Sequence, residues 1–290
     1  MVKILTILFC KIFQAVVSQG SFNKAAELLS LTPSAVSHSI ASMEKEIGFQ
    51  LFNRNKTGVT LTGYGEAVYP HIQRLLNTDE ALEQLISQMN GVEKGTVKIG
   101  TFNSACIQLL PKIIKSFKAL YPGVSVEVYE GTYEDIIHWI KSGMVDLGFL
   151  STSCTKEIPI TPIYQDPLVL VVPKTMEVKH DYITVEDLNG LSFVIQREGC
   201  DADIQKFLHD YNIKVSSSCY VIDDQSTIAM VESGFGVSIM PKLATIKHGK
   251  DVKIYPIKPE EFRTIGIACM NGNALSPAAK KMFEHIKEEI

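Results

Sequence analysis

Little in this sequence would carry catalytic chemistry on its own. The six cysteines (Cys10, Cys106, Cys154, Cys200, Cys219, Cys269) stand far apart with no Cys-x-x-Cys pair, and the seven histidines offer no His-x-x-x-His spacing. That excludes a zinc or iron–sulfur framework and leaves reduced thiols of a cytoplasmic protein as the reading. There is no phosphate-cradling glycine loop, no nucleophile elbow and no recognisable Ser/His/Asp order, so the sequence nominates no catalytic residue, metal ligand or cofactor. No stretch approaches the ~18 to 20 apolar residues that a membrane span needs. The most apolar segment, Met1 to Cys10, is interrupted early by Lys11 and Gln14 and is followed by no small-x-small cleavage pattern, which argues against a signal peptide. Its apolar residues recur at helical spacing (Ile4, Leu8, Ile12, Val16 and Leu5, Phe9, Phe13), predicting a first helix that faces a core.

What is present is an ordinary globular composition with an uneven charge. Apolar residues make up 46% and charged residues 21% of 290, a length that suits two or three domains. The net charge of −4 divides into a head and a body. Residues 1–62 hold six bases (Lys3, Lys11, Lys24, Lys45, Arg54, Lys56) against three acids (Glu27, Glu44, Glu46), so +3, and the remainder carries −7. A small basic head on an acidic body is the pattern of a protein that meets a polyanion through the head alone.

Within the head, Gln19-Gly20 stops the first helix and Ser21 caps a second, Phe22 to Leu29, whose Ala25-Ala26 pair permits a close helix crossing. Thr32 caps a third helix that Pro33 opens where its missing N–H costs nothing. Val36, Ile40 and Met43 form its buried stripe, while Ser34, Ser37, His38 and Ser42 make a short polar face without repulsive charge. A second helix of that kind after a tight turn suits major-groove reading. Residues 48–62 read as two short extended arms around a polar tip carrying Arg54 and Lys56, placed to meet phosphate or the minor groove. The unit is predicted to be a winged helix-turn-helix.

From Tyr64 to Met89 the apolar spacing alternates four and three: Val68, Ile72, Leu75, Asp79, Leu82, Ile86, Met89. That seam, broken only by Asp79 and bent early by Pro70, predicts a helix that pairs with a second copy. From Lys94 strands and helices alternate. Strands are expected at 96–100, 124–129, 146–150, 163–172, 193–195, 237–240 and 266–270, with helices near 107–120, 134–141 and from 277, giving α/β with a parallel sheet. Two such lobes would enclose a cleft where strand ends and helix N-termini bind ligands. The candidates are Thr101, Asn103 and Ser104 after the first strand, Thr132 after the second, Ser151 and Thr152 after the third, and Gln196 in the other lobe. Plain helix capping accounts for each hydroxyl as well as ligand contact does. Arg197 is a candidate counter-charge for a small organic anion, and Cys200, at a helix start by the cleft, a candidate redox thiol.

The ordered set Ala15-Val16-Val17-Ser18-Gln19-Gly20-Ser21-Phe22-Asn23-Lys24-Ala25-Ala26-Glu27-Leu28-Leu29, Thr32-Pro33-Ser34-Ala35-Val36-Ser37, Leu51-Phe52-Asn53-Arg54 and Leu61-Thr62-Gly63-Tyr64-Gly65-Glu66 resembles the LysR-type transcriptional regulators. The body, with Gly143-Met144-Val145-Asp146-Leu147-Gly148 before a strand, resembles the type 2 periplasmic-binding-protein fold that those regulators carry. The resemblance implies a winged helix-turn-helix at 1–62, a linker and dimerisation helix at 63–91 and an effector domain at 92–290, with lobe I about 92–161 and 266–290 and lobe II about 162–265. It further implies a homodimer or homotetramer on a double-stranded DNA operator, controlled by a small-molecule effector. Asn23, Thr32, Ser34, Ser37, His38, Arg54 and Lys56 would contact DNA. Two departures stand out. Pro33 lies where the family often has Gln, so it gives adenine no side-chain hydrogen bond. His38 lies where Arg or Gln is common. The alternatives are a redox-sensing regulator acting through Cys200, and an enzyme with a nucleic-acid-binding head. A resolving cysteine near Cys200 is lacking, since the next is Cys219.

Overall fold

In the computed structural model, which describes residues 6–55, 58–90, 94–196, 202–246, 251–270 and 275–290, each early helix begins where the sequence supplies a cap. The Thr6 hydroxyl accepts the Phe9 N–H at the start of α1 (Ile7–Gln19), and Gly20 ends that helix at φ +57°, a left-handed conformation that costs glycine little. Ser21 caps α2 (Phe22–Leu28) and Thr32 caps α3 (Pro33–Ile47), with Pro33 in the first turn. Strands β1 (Phe52–Asn55) and β2 (Gly58–Leu61) pair antiparallel, Phe52 opposite Leu61 and Arg54 opposite Val59. Thr62 caps the 27-residue α4 (Gly63–Met89), which continues through Pro70.

These elements form one compact unit around Phe13, Val16, Ala25, Ala26, Val36, Ile40, Met43, Phe52, Ile72 and Leu76. Two expectations need correction. On α1 the buried face is Cys10, Ile12, Phe13, Ala15 and Val16 with Phe9 half-buried, whereas Leu8, in the first turn of the helix, is exposed; Ile4 and Leu5 lie outside the described residues. On α4 the seam divides. Val68 and Ile72 pack into the unit's own core, and Leu75, Leu82, Ile86 and Met89 are exposed. The cause is the packing of α1 on the first half of α4. Gln14 Nε2 donates to Gln73 Oε1 at 2.9 Å, Gln73 Nε2 donates to Asn77 Oδ1 at 3.0 Å, and Lys11 Nζ lies 3.0 Å from Asp79. Asp79, which interrupts the apolar spacing, is the residue that α1 pairs with.

The second unit is built from β3 (Gly95–Thr101), α5 (Asn103–Gln108), α6 (Leu110–Leu120), β4 (Val124–Glu130), α7 (Tyr133–Ser142), β5 (Leu147–Ser151), β6 (Ile160–Pro173), β7 (Ile183–Thr184), β8 (Ser192–Gln196), α8 (Ala202–Asp210), β9 (Ser216–Val221), α9 (Asp224–Glu232), β10 (Ser238–Pro241), β11 (Val252–Lys258), β12 (Phe262–Ala268) and α10 (Pro277–Glu289). The strand order is β4-β3-β5-β12-β6-β11-β7, with β10 also on β6, and β8 pairs with β9 separately. The sheet is mixed rather than parallel: β3 and β5 run parallel, but β12 returns antiparallel to both β5 and β6, and β10 and β11 are antiparallel to β6. The helix expected at 107–120 is two helices, because Pro111 has no N–H to continue the first.

The 14-residue β6 joins two lobes. Its first half pairs with β12, and its second half pairs with β10 and β11. One lobe buries Val97, Ile99, Ile113, Phe117, Ile136, Leu147, Phe149 and Ile267; the other buries Leu168, Leu170, Val172, Phe193, Phe207, Val237 and Ile239. A Cβ at Gly148 would meet Ile136 and Ile140, so glycine there lets α7 lie directly on the strands.

Candidate functional site

Two regions carry the residues that chemistry would use, one in each unit. In the first, α3 turns Ser34 and His38 fully outward and leaves Ser37 and Ser42 half-buried; Ala41 and Lys45 continue the exposed line. Thr32 is held locally, its Oγ1 accepting the Ala35 N–H at 3.2 Å and lying 3.0 Å from Ser34 Oγ. His38 Nδ1 lies 3.5 Å from Ser42 Oγ, and Asn23 is exposed in the first turn of α2. Arg54 is not at the wing tip. It sits within β1 with its guanidinium 4.7 Å over the Phe22 ring and 3.7 Å from Glu44. Glu44 also accepts the Leu51 and Phe52 N–H groups at 2.8 and 3.2 Å, tying α3 to the wing. The Arg54 guanidinium is therefore held, half exposed, against Phe22 and Glu44, while Lys56 lies outside the described residues.

In the second unit a cavity of about 310 Å³ is lined from both lobes. Its wall comes from Phe102, Asn103 and Ser104 after β3, Glu130 to Tyr133 with Asp135 after β4, Asp203 and Ile204 on α8, Ile222 to Asp224 before and at the start of α9, Pro241, and Arg263 on β12. Arg263 is 6% exposed. Its Nη2 donates to Asp166 Oδ2 at 2.6 Å and to Ser104 Oγ at 2.9 Å, and its guanidinium lies 4.8 Å over the Phe102 ring. Its Nε is buried and has no hydrogen-bond partner. Asp166, fully buried on β6, also accepts the Leu243 N–H at 2.9 Å from the short turn after β10. Burial pushes the Asp166 carboxyl up, and Arg263 pulls it back. Burial likewise raises the Tyr133 phenol, against the pull of Arg263.

Asp203 is buried and accepts the Ser151 hydroxyl at 2.9 Å. Asp135 lies below the usual carboxylate range because the Thr132 hydroxyl and N–H both donate to it, and Asp223 lies below it through Ser226 and the N–H groups it caps. Glu130, Asp135, Asp203, Asp223 and Asp224 thus bring five carboxyl side chains to the lining of the cavity that Arg263 also lines. Burial, reinforced by Asp203, pushes the Cys154 thiol up to about 12. Among the described residues no cluster of His, Cys, Asp or Glu has the makings of a metal site.

Of the expected cleft residues, Asn103, Ser104 and Thr132 are on the wall. Asn103 donates to Glu130 at 3.0 Å. Thr101 is fully buried with its hydroxyl donating to the Phe102 carbonyl at 3.3 Å, since the alternation at a strand end sends Thr101 away from the side that Phe102 faces. Ser151 is behind the wall, supporting Asp203, and Thr152 uses its N–H on the Thr264 carbonyl at 2.9 Å. Gln196 ends β8. Arg197 and Cys200 lie outside the described residues. The central residues, Arg263, Asp166 and Asp203, were not anticipated. Two of them had a readable signal: Asp166 and Arg263 are single charges within otherwise apolar strand segments, where an unpaired charge would be prohibitively costly.

Comparison with known proteins covers nearly the whole chain. Residues 9–66 match the family described as "Bacterial regulatory helix-turn-helix protein, lysR family", and residues 90–290 match "LysR substrate binding domain". An uncharacterised HTH-type transcriptional regulator of Bacillus subtilis, YvbU, is 28% identical over 288 residues, covering 98% of each chain. A full-length OxyR from Pseudomonas aeruginosa superposes with a TM-score of 0.79 at 20% identity, over 98% of this chain and 95% of that one. CbnR in complex with its target DNA gives a TM-score of 0.59 at 19% identity, over 98% and 99%. At these identities the structural likenesses establish the fold.

Proposed function

We propose, from the premise that this chain belongs to the LysR family of bacterial transcriptional regulators, that its α3 face reads an operator and that a small organic acid held at Arg263 controls it. The protein is a DNA-binding transcriptional regulator with an effector-binding body, and not an enzyme. Residues 1–62 form its DNA-binding domain, 63–91 the connecting helix and 92–290 the effector domain, divided into lobes at about 92–161 with 266–290 and about 162–265. Ser34, Ser37 and His38 read base edges, with Asn23, Thr32, Arg54 and Lys56 on the phosphates. The exposed Leu75, Leu82, Ile86 and Met89 form the seam of a homodimer, the base of a tetramer, that holds two half-sites at once. The protein works in the cytoplasm, where its operator is, and no described helix is long and apolar enough to cross a membrane.

The observation that carries the effector reading is Arg263. A buried guanidinium on the wall of a cavity lined from both lobes is a charged donor in a site of low polarity, and a ligand carboxylate matches it. Asn103, Ser104 and Thr132 complete that wall, with Thr152, Gln196 and Cys200 as further candidates for effector contact. The test is a thermal-shift screen of small carboxylates against the parent and Arg263→Met. A carboxylate that raises the parent's unfolding temperature and leaves Arg263→Met unmoved supports the assignment; an equal shift in both removes it.

A further inference from the structure

We infer that the effector is a zwitterion of amino-acid type, its carboxylate at Arg263 and its ammonium against the acidic wall. This rests on the effector reading above and adds the second charge. Arg263 is already matched by Asp166 at 2.6 Å, so the pair is close to neutral before any ligand enters. Asp203 is then a buried carboxylate on the same wall whose partner is a neutral hydroxyl, Ser151. Asp224, at the start of α9, lines the same cavity. A plain carboxylate entering this cavity can meet the Arg263 guanidinium but faces an excess of like charge. A plain amine is drawn by the carboxylates but offers the Arg263 guanidinium no acceptor.

Only a molecule bearing both charges answers both features. Arg263 and Asp203 line this same cavity together with Tyr133, so one small molecule in it has both as neighbours. Phe102, Ile204 and Pro241 supply apolar wall, so the remainder of the ligand is uncharged and partly apolar, and a cavity of about 310 Å³ suits a ligand of amino-acid size.

The test is calorimetry on the full-length protein near pH 7.5 with each protein amino acid. The tightest binder is then compared with its N-acetyl derivative, its carboxamide and its deaminated acid. Each derivative lacks one of the two charges and is expected to bind about tenfold or more weakly. Asp203→Asn should weaken the amino acid by a similar factor while leaving the deaminated acid no weaker than in the parent. If the unliganded Asp203→Asn protein melts early, Asp224→Asn makes the same comparison from the rim. Equal binding of amino acid and deaminated acid, or binding by no amino acid at all, overturns the zwitterion and leaves an effector cavity at Arg263 intact. Amino-acid binding that persists undiminished in Arg263→Met overturns the cavity assignment itself.

Discussion

The two units of this protein handle charge in opposite ways. The head keeps it at the surface. Its core is apolar apart from an amide ladder through Gln73, and the ion pairs of Lys11 with Asp79 and of Arg54 with Glu44 leave the basic side chain about half exposed. The body buries charge at its centre, where Arg263 and Asp166 are 6% and 0% exposed. The difference follows from where each unit meets its partner. A DNA-binding unit needs a passive core that holds a polar face outward, and phosphate is met at the surface. An effector-binding unit surrounds a small molecule, so its recognition groups must be buried and must hold one another in place before the ligand arrives.

The comparison is broken most directly by removing one charge from each unit. Arg263→Met leaves Asp166 buried without its partner and is expected to destabilise the body by about 3 to 5 kcal/mol. Arg54→Ala in the head should cost no more than about 1 kcal/mol, since its pair is half exposed. Trp139, on α7, is the only tryptophan in the sequence, so its fluorescence in denaturant reports the body. Adding Asp166→Asn to Arg263→Met should recover part of the loss. Equal costs at Arg54 and Arg263 would mean that the two units do not differ in this way.

A second test concerns the helix that leaves the head. Leu75 and Leu82 are 45% and 55% exposed, so Leu75→Asp with Leu82→Asp should leave the head folded. Sedimentation should show monomers, with operator affinity down about a hundredfold because two half-sites are no longer held together. An unchanged dimer places the interface elsewhere.

A third test separates reading from holding within the head. His38→Ala and Ser34→Ala, both fully outward on α3, should each cost about 1 to 2 kcal/mol of operator affinity and little affinity for random DNA. Ser37→Ala should cost less, since Ser37 is half-buried. Arg54→Ala should weaken all DNA alike and lower the salt slope by about one. Filter-binding or anisotropy titrations at several salt concentrations distinguish these outcomes.

The same contrast explains what could be read from the sequence. The head was legible because its signals are local: Ser21, Thr32 and Pro33 mark helix starts, Gly20 marks an end, and Val36, Ile40 and Met43 mark a buried face within one helix. The body's strands β3, β4, β5 and β6 were legible for the same reason. Its strand pairing was not, because the antiparallel return of β12 between β5 and β6 depends on residues about a hundred positions apart. The cavity was half legible. Asn103, Ser104 and Thr132 follow strand ends, whereas Arg263 reaches the wall only once β12 lies beside β6 and brings it to Asp166. Thr101 and Ser151, expected on loops, are instead the last residues of β3 and β5, and both are fully buried.

The smallest effect lies in how the two units treat a thiol, buried at Cys10 and half-buried at Cys154. Cys10 in the head is raised by burial alone against a backbone hydrogen bond, whereas Cys154 in the body is pushed up to about 12 by burial and further by the Asp203 charge. Because the folded value lies above that of an unfolded thiol, near 8.5, the unfolded chain ionises first as pH rises. Stability linked to Cys154 is therefore fully present below about pH 8.5 and is lost progressively from there toward pH 12. Discounted for the partial exposure of the group, the loss by pH 10 is less than about 1 kcal/mol. Cys154→Ala should flatten this alkaline limb in denaturant titrations at pH 8, 9 and 10. Asp203→Asn should flatten part of it without touching the thiol, because the charge that opposes the thiolate is gone. Cys10→Ala should flatten only the share due to burial, and that share should be the same with or without Asp203. Were Asp203→Asn to leave the Cys154 limb unchanged, burial alone would hold the body thiol neutral, and the two units would not differ here.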